Sequence, residues 1–294
     1  MVEFEVPEVD YTRYTNRQLM VIPLVVLAIA LVVLSGWYVM TGSPVNQSID
    51  FTGGTELTVR TDTPRGDLAA QFDPAPTSIQ SVADQENRFI LTFKRTAGTE
   101  TSLSEQAENN LQAVDDKPIV LSFQQVSPSF GSSTQQTALF GLGLAFVGMS
   151  ILAFVLFRTF VPSLGIVISA FSDIMVPLAL MDVFGIELSL GTVAALLMLI
   201  GYSVDSDILL TNHILRRSGE FYESTYRAMR TGVTMTVTSI AAMAVMAIVA
   251  SFFRIELLSS IGLVLVFGLT TDLMNTYMFN VSLLRWYKIG SVEP

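Results

Sequence analysis

Six long apolar runs divide the chain, at about 20–40, 137–157, 162–184, 190–214, 232–253 and 257–284. Each is near the ~20 residues that a helix needs to cross a hydrocarbon layer. Between the first two runs the pattern changes. "TELTVRT" (55–61) alternates apolar and polar residues as a half-buried strand does. "TSIQSVAD", "NRFILTFKR" and "PIVLSFQQV" read as further strands, with a turn around Gln85-Glu86. "RGDLAAQF" predicts a short helix, and "SLSEQAENNLQAV" a longer one capped by Ser102 or Ser104. The order βαββαβ is that of a ferredoxin-like split βαβ unit. The expected fold is an α-helical polytopic membrane protein, six transmembrane helices plus an extracytoplasmic α+β ferredoxin-like domain. Its segments are an N-terminus at 1–19, a transmembrane helix at 20–40, the ferredoxin-like domain at 41–136, a five-helix transmembrane domain at 137–284 and a tail at 285–294.

Composition agrees with a membrane protein. Of the 294 residues, 51% are hydrophobic and 14% charged, against roughly 25% charged in soluble domains. The chain has no cysteine and one histidine, His213. Disulfides and thiol catalysis are thereby excluded, and a metal centre is not expected. No nucleotide loop or catalytic triad is present, so neither a cofactor nor an enzymatic activity is expected. The leader before the first run carries Glu3, Glu5, Glu8 and Asp10, and no A-x-A cleavage pattern follows, so the run reads as a retained anchor.

Lys and Arg set the orientation. Arg13 and Arg17 precede the first span, and Arg158 separates the second and third. Arg216, Arg217, Arg227 and Arg230 separate the fourth and fifth, and Arg285 and Lys288 follow the sixth. The opposite short loops hold only Arg254. Both termini are expected in the cytoplasm and 41–136 outside the cytoplasmic membrane. That outer stretch has twelve acids against six Lys and Arg. An acidic, Lys-poor exterior suits salty surroundings, where screening suppresses self-repulsion; an ordinary acidic surface is the alternative. "RRSGEFYESTYRAMR" (216–230) mixes bases and aromatics, but its place favours a short helix on the membrane surface over nucleic-acid binding. Asn46 heads a glycosylation sequon; Asn280-Val281-Ser282 also matches one but lies within a span and is set aside.

"SIDFTGGTEL" (48–57) joins the first span to the first strand. Gly53-Gly54 opens a strand with no lysine behind it, unlike a phosphate loop, so a backbone bend is the physical reading. The fuller "IDFTGG", with Asp50, Phe51, Gly53 and Gly54, resembles the signature of the SecF family of protein-export membrane subunits, within the resistance-nodulation-division superfamily. "GYSVDSDILLTNHIL" (201–215) is similar to the family's fourth-span segment, and "MRTGVTMTVTS" (229–239) to the start of its fifth span. The family motif has glycine where this chain has Ser48, and its bacterial acid falls opposite Ser206, between Asp205 and Asp207. The Asp-Ser-Asp form resembles archaeal members. The resemblance implies an accessory subunit acting with SecD on the Sec translocon channel, engaging translocating proteins and drawing on an ion gradient.

Ionisable residues inside spans are costly, and they default to function. Here they are Asp173 in the third span, Asp205 and Asp207 in the fourth, and Asp272 in the sixth. Ser203, Asp207 and Thr211 make one helical stripe, with Gly201, Asp205 and Asn212 on the other side. Both aspartates can share one ion site only if the helix breaks. Gly165, Ser169, Asp173 and Pro177 form a small-residue ridge. Asp272, Asn275 and Thr276 share a face, and Thr231, Thr234 and Thr238 form a hydroxyl stripe with Arg230 at its mouth. A carboxylate held from water is easier to neutralise, and a nearby Arg opposes this. Asp205, Asp207, Arg230, Asp173 and Asp272 are therefore the candidates for ion coupling. His213 reads as an interfacial polar anchor. Two alternatives stay open: a half-transporter of the same superfamily exporting lipid or small molecules, and a non-pumping scaffold whose carboxylates bind helices together.

Overall fold

The computed structural model describes residues 11–82, 87–94, 100–114, 117–216 and 220–289. The Gln85-Glu86 turn lies outside them. Six helices are long and apolar enough to cross a membrane, among the described residues. The first, α1 (Asn16–Thr41), starts four residues before its apolar run because Thr15 and Gln18 form a capping box: Gln18 N donates to Thr15 Oγ1 at 3.3 Å and Thr15 N to Gln18 Oε1 at 3.0 Å. A four-residue turn, α2 (Ile49–Thr52), then leads into the inserted domain.

That domain contains β1 (Gly54–Arg60), α3 (Arg65–Leu68), β2 (Ser78–Ser81), β3 (Arg88–Lys94), α4 (Glu100–Asn110) and β4 (Val120–Val126). Its strands form one sheet of order β2-β3-β1-β4, with every pair antiparallel. This is the ferredoxin-like arrangement. Leu57, Val59, Leu91 and Phe93 alternate onto one face and pack against Leu68, Leu103 and Ala107 from the two helices. Because α4 is already helical at Glu100, Ser102 and Ser104 are inside the helix rather than at its cap; residues 95–99 lie outside the described residues. A core built this way is self-contained. Residues 54–126 are expected to fold as an isolated fragment, and Leu57→Ala, at a site with no exposure, to cost it about 2–5 kcal/mol. Urea titration followed by circular dichroism checks both.

The remaining spans are α5 (Pro128–Phe157), α6 (Phe160–Phe184), α7 (Leu190–Arg216), α8 (Phe221–Phe252) and α9 (Glu256–Met274). A π-helical segment (Asn275–Asn280) and α10 (Val281–Ile289) continue α9. α5 starts at Pro128 because Ser127 caps it, accepting from Phe130 N at 3.2 Å. Residues 128–136 are therefore the first turns of α5, and the sheet ends at Val126. α8 begins at Phe221 and runs unbroken through 232, so the stretch 221–230 is part of a span rather than a separate surface helix. Phe221, Ser224, Thr225, Ala228 and Met229 are its buried face. α6 and α7 are the most buried spans and α5 and α8 the least.

Candidate functional site

The site begins with the α6 ridge. Gly165, Ser169, Asp173 and Pro177 are all buried. Small residues allow close helix approach: a Cβ on Gly165 would stand 3.0 Å from Asn280 Oδ1. On α7, Ser203, Asp207 and Thr211 are each no more than 1% exposed. The helix is unbroken, so Asp205, two residues away, is exposed on its other side. On α9, Asp272 is buried, and the chain then winds as a π-helix. In an α-helix, Asn275 and Asn280 would diverge by about 140°. The wider turn lets both reach the carboxylates, and such turns are frequent at functional sites.

The three carboxylates share one network. Ser203 Oγ donates to Asp173 Oδ2 at 2.5 Å, and Asn275 Nδ2 to Asp173 Oδ1 at 2.6 Å. Thr276 Oγ1 and Asn280 Nδ2 donate to Asp207 Oδ1 at 2.8 and 2.6 Å. Ser206 Oγ donates to Asp272 Oδ1 at 2.8 Å, and Thr276 Oγ1 also lies 3.4 Å from that oxygen. Each of these hydrogen bonds to a carboxylate comes from a neutral hydroxyl or amide. Ser169 sits beside both Asp173 and Asp207. Three buried oxygens at this place have no hydrogen-bond partner: Asp207 Oδ2, Asn280 Oδ1 and Ser169 Oγ. Neutral donors do not cancel carboxylate charge in a low-dielectric interior.

The hydrogen bonds above do not include the other candidates. Arg230 is exposed on α8. Thr234 Oγ1 donates to Arg230 O at 2.8 Å and Thr238 Oγ1 to Thr234 O at 2.9 Å, so these hydroxyls bond back to their own helix. Beyond Ser224 and Thr225, a further buried hydroxyl of α8 is Thr236, 3.4 Å from Tyr202 Oη. His213 is 8% exposed, and its Nδ1 lies 2.8 Å from Leu209 O of its own helix. Two members of the site are not evident from sequence. Ser206 stands out there only as the place opposite the family's acid, and Asn280 only as part of a spurious sequon. The spacing Asp272-Thr276-Asn280, at i, i+4 and i+8, carries the signal for the latter.

"IDFTGG" is a structural joint. Ser48 Oγ accepts from Asp50 N at 3.3 Å, which explains a serine there: it caps α2. Asp50 Oδ2 accepts from Leu190 N at 3.2 Å, capping α7 across the molecule. Phe51 is buried and belongs to the apolar cluster that extends through α1, α6, α7 and α9. Gly53 has φ 73° and ψ 161°, a region open essentially to glycine. Its missing side chain lets α5 approach: a Cβ would lie 2.8 Å from the Pro128 backbone. Ser48 N donates to Leu188 O and Leu188 N to Asn46 O, and Lys94 pairs with Glu187 at 2.7 Å. The inserted domain is thereby pinned to the α6–α7 loop. A cleft of about 430 Å³ remains between them, lined by Asp50, Glu56, Gln80, Glu187 and Glu256 among others. Burial, then the neighbouring charge of Asp50, pushes the Glu56 carboxyl above its usual range.

Six spans, a ferredoxin-like domain after the first and a carboxylate cluster within the bundle define a multi-pass membrane protein of the kind that moves cargo across bilayers. The C-terminal SecD/SecF protein-export family model matches residues 106–290, and the SecD/SecF GG-motif model residues 38–64. The protein-export membrane protein SecF of Haloferax volcanii is 65% identical over 292 residues, covering 99% of each chain. That of Pyrococcus furiosus is 38% identical over 277 residues, covering 92% of this chain and 90% of its own. The crystal structure of SecDF, a translocon-associated membrane protein from Thermus thermophilus, matches with a TM-score of 0.68 at 22% identity. It covers 98% of this chain, which spans 40% of that longer one. The chain belongs to the SecF family of protein-export membrane proteins.

Proposed function

We propose that the chain is the SecF-type accessory subunit of the Sec protein translocase, acting with SecD in the cytoplasmic membrane to assist export with the help of an ion gradient. Family membership supports the export role. The observation that carries the coupling is the network of Asp173, Asp207 and Asp272, buried on three helices and held by neutral donors. Entry of a proton or cation at this network changes its charge, and the hydrogen bonds linking α6, α7 and the π segment rearrange with it. On α7 the role falls to Asp207, which is inside the bundle, and Asp205 faces outward. The termini lie in the cytoplasm and the inserted domain outside, where it meets translocating chains near the Sec channel. The subunit has no catalytic role.

The scaffold alternative uses the same hydrogen bonds as helix glue, and it separates cleanly by experiment. Vesicles containing this chain with SecD should export a secreted protein several-fold faster under an imposed ion gradient than without one. Removal of the chain should abolish that difference. Equal rates with and without the gradient would leave only the scaffold.

A further inference from the structure

The segment before the first span reaches the same π turn from the opposite side. Tyr11 is 5% exposed although it stands outside the spans. Its phenol donates to Tyr277 O at 3.0 Å and lies 3.7 Å from Met229 Sδ. Arg285 on α10 holds the segment there, donating to Tyr14 O at 2.9 Å and Tyr11 O at 3.1 Å, with its guanidinium 5.7 Å from the Tyr222 ring centre. Tyr11, Leu210, Met229, Tyr277 and Val281 form one buried apolar group.

Tyr277 occupies the middle of the π segment. Its ring reaches across to Gly232 on α8, where any side chain would collide with its hydroxyl. Its hydroxyl is within electrostatic reach of Asp272, Tyr11 and Asp207. A π turn breaks the ordinary i to i+4 ladder and frees carbonyls that need other donors. Tyr11 supplies one from a distant part of the chain. Asn275 and Thr276, just before Tyr277, and Asn280, three residues after it, donate to Asp173 and Asp207.

We propose that Tyr11 is a positioning residue for the carboxylate network: it fixes the π turn through the Tyr277 carbonyl and closes the network on the N-terminal side. This rests on the coupling role given above to that network. Burial pushes the Tyr11 phenol up to about 12, so it stays a protonated donor through the neutral range. The N-terminal segment is then a strap whose release loosens the turn and opens the network to the side on which the N-terminus lies.

The chain has no cysteine, so a single introduced thiol reports access. In a Leu210→Cys background, Tyr11→Phe should speed labelling by a membrane-impermeant maleimide from the N-terminal side about fivefold, the effect of one lost hydrogen bond near 1 kcal/mol. In vesicles with SecD, Tyr11→Phe should lower gradient-stimulated export by a similar factor. Gradient-independent export and co-purification of SecD should stay as in the parent. Unchanged labelling together with unchanged stimulation overturns the inference, and so does an equal loss of both export components, which would mark a purely structural contact. Asp207→Asn is measured alongside. If stimulation survives Asp207→Asn, the network reading itself fails. If stimulation is lost there but stays at the parental level in Tyr11→Phe, only the role of Tyr11 falls.

Discussion

Gly53→Val should leave all six spans inserted, lower the melting temperature of the purified protein, and reduce export and recovery with SecD by tenfold or more. At φ 73° and ψ 161° the backbone alone penalises a side chain by about 1–3 kcal/mol. The added Cβ would also press on the Pro128 backbone at 2.8 Å and on Val126 O at 3.0 Å. These are main-chain atoms at the end of β4 and the start of α5, and they cannot rotate away. Relief requires α5 to shift, which loosens α2 and with it the Asp50 cap on α7. Gly66→Ala is the control: a Cβ at Gly66 would meet nothing within 4 Å, and the variant should behave as the parent. Normal melting and export in Gly53→Val would mean that the joint tolerates rearrangement.

The architecture was legible because both of its periods are strong. Runs of about 20 apolar residues leave one option in a bilayer, a helix. In the inserted domain, alternation at Leu57 and Val59, and again at Leu91 and Phe93, fixes which sheet face is buried. Helix starts were harder to see where they are polar. α1 and α5 begin before their apolar runs because Thr15 and Ser127 cap them, and hydropathy is blind to a cap.

The site was legible in its acids and less so in their partners. Helical spacing separated Asp205 from Asp207 correctly, yet it did not say which of the two faces inward; that follows from how α7 packs on α6 and α9. Burial then selects Asp207, at 0% exposure. The threonine stripe of α8 turns on a local effect. Thr234 and Thr238 satisfy themselves on their own backbone, so a hydroxyl stripe need not face a neighbour. Asn280 falls in line with Asp272 and Thr276 at i, i+4 and i+8, but a strict 3.6-residue repeat places it away from Asn275, and the π turn is what brings the two together.

The two fourth-span aspartates should therefore part company on mutation. Asp205→Asn is expected to keep gradient-stimulated export within about twofold of the parent, since an exposed group away from a packed network shifts energies by only about 0.5 kcal/mol. Asp207→Asn should abolish the stimulated component. Asn keeps the shape and can still accept from Thr276 and Asn280 through its oxygen, as Asp207 Oδ1 does at 2.8 and 2.6 Å. Its amide nitrogen falls where Asp207 Oδ2 now lacks a donor, in a locality where Ser169 Oγ and Asn280 Oδ1 also lack partners. A new donor there satisfies acceptors that cost stability while unpaired. The Asp207→Asn protein should accordingly melt at the same temperature as the parent or higher and co-purify with SecD, yet carry no exchangeable charge at that position. An elementary charge moved through the membrane potential is worth about 2.3 kcal/mol per 100 mV, and that is the drive the variant forfeits. The measurement pairs export in vesicles, with and without a gradient, with a melting curve in detergent. Retained stimulation in a stable Asp207→Asn protein would overturn the network reading and move the coupling to SecD. A collapsed melting temperature would instead show the carboxylate to be helix glue.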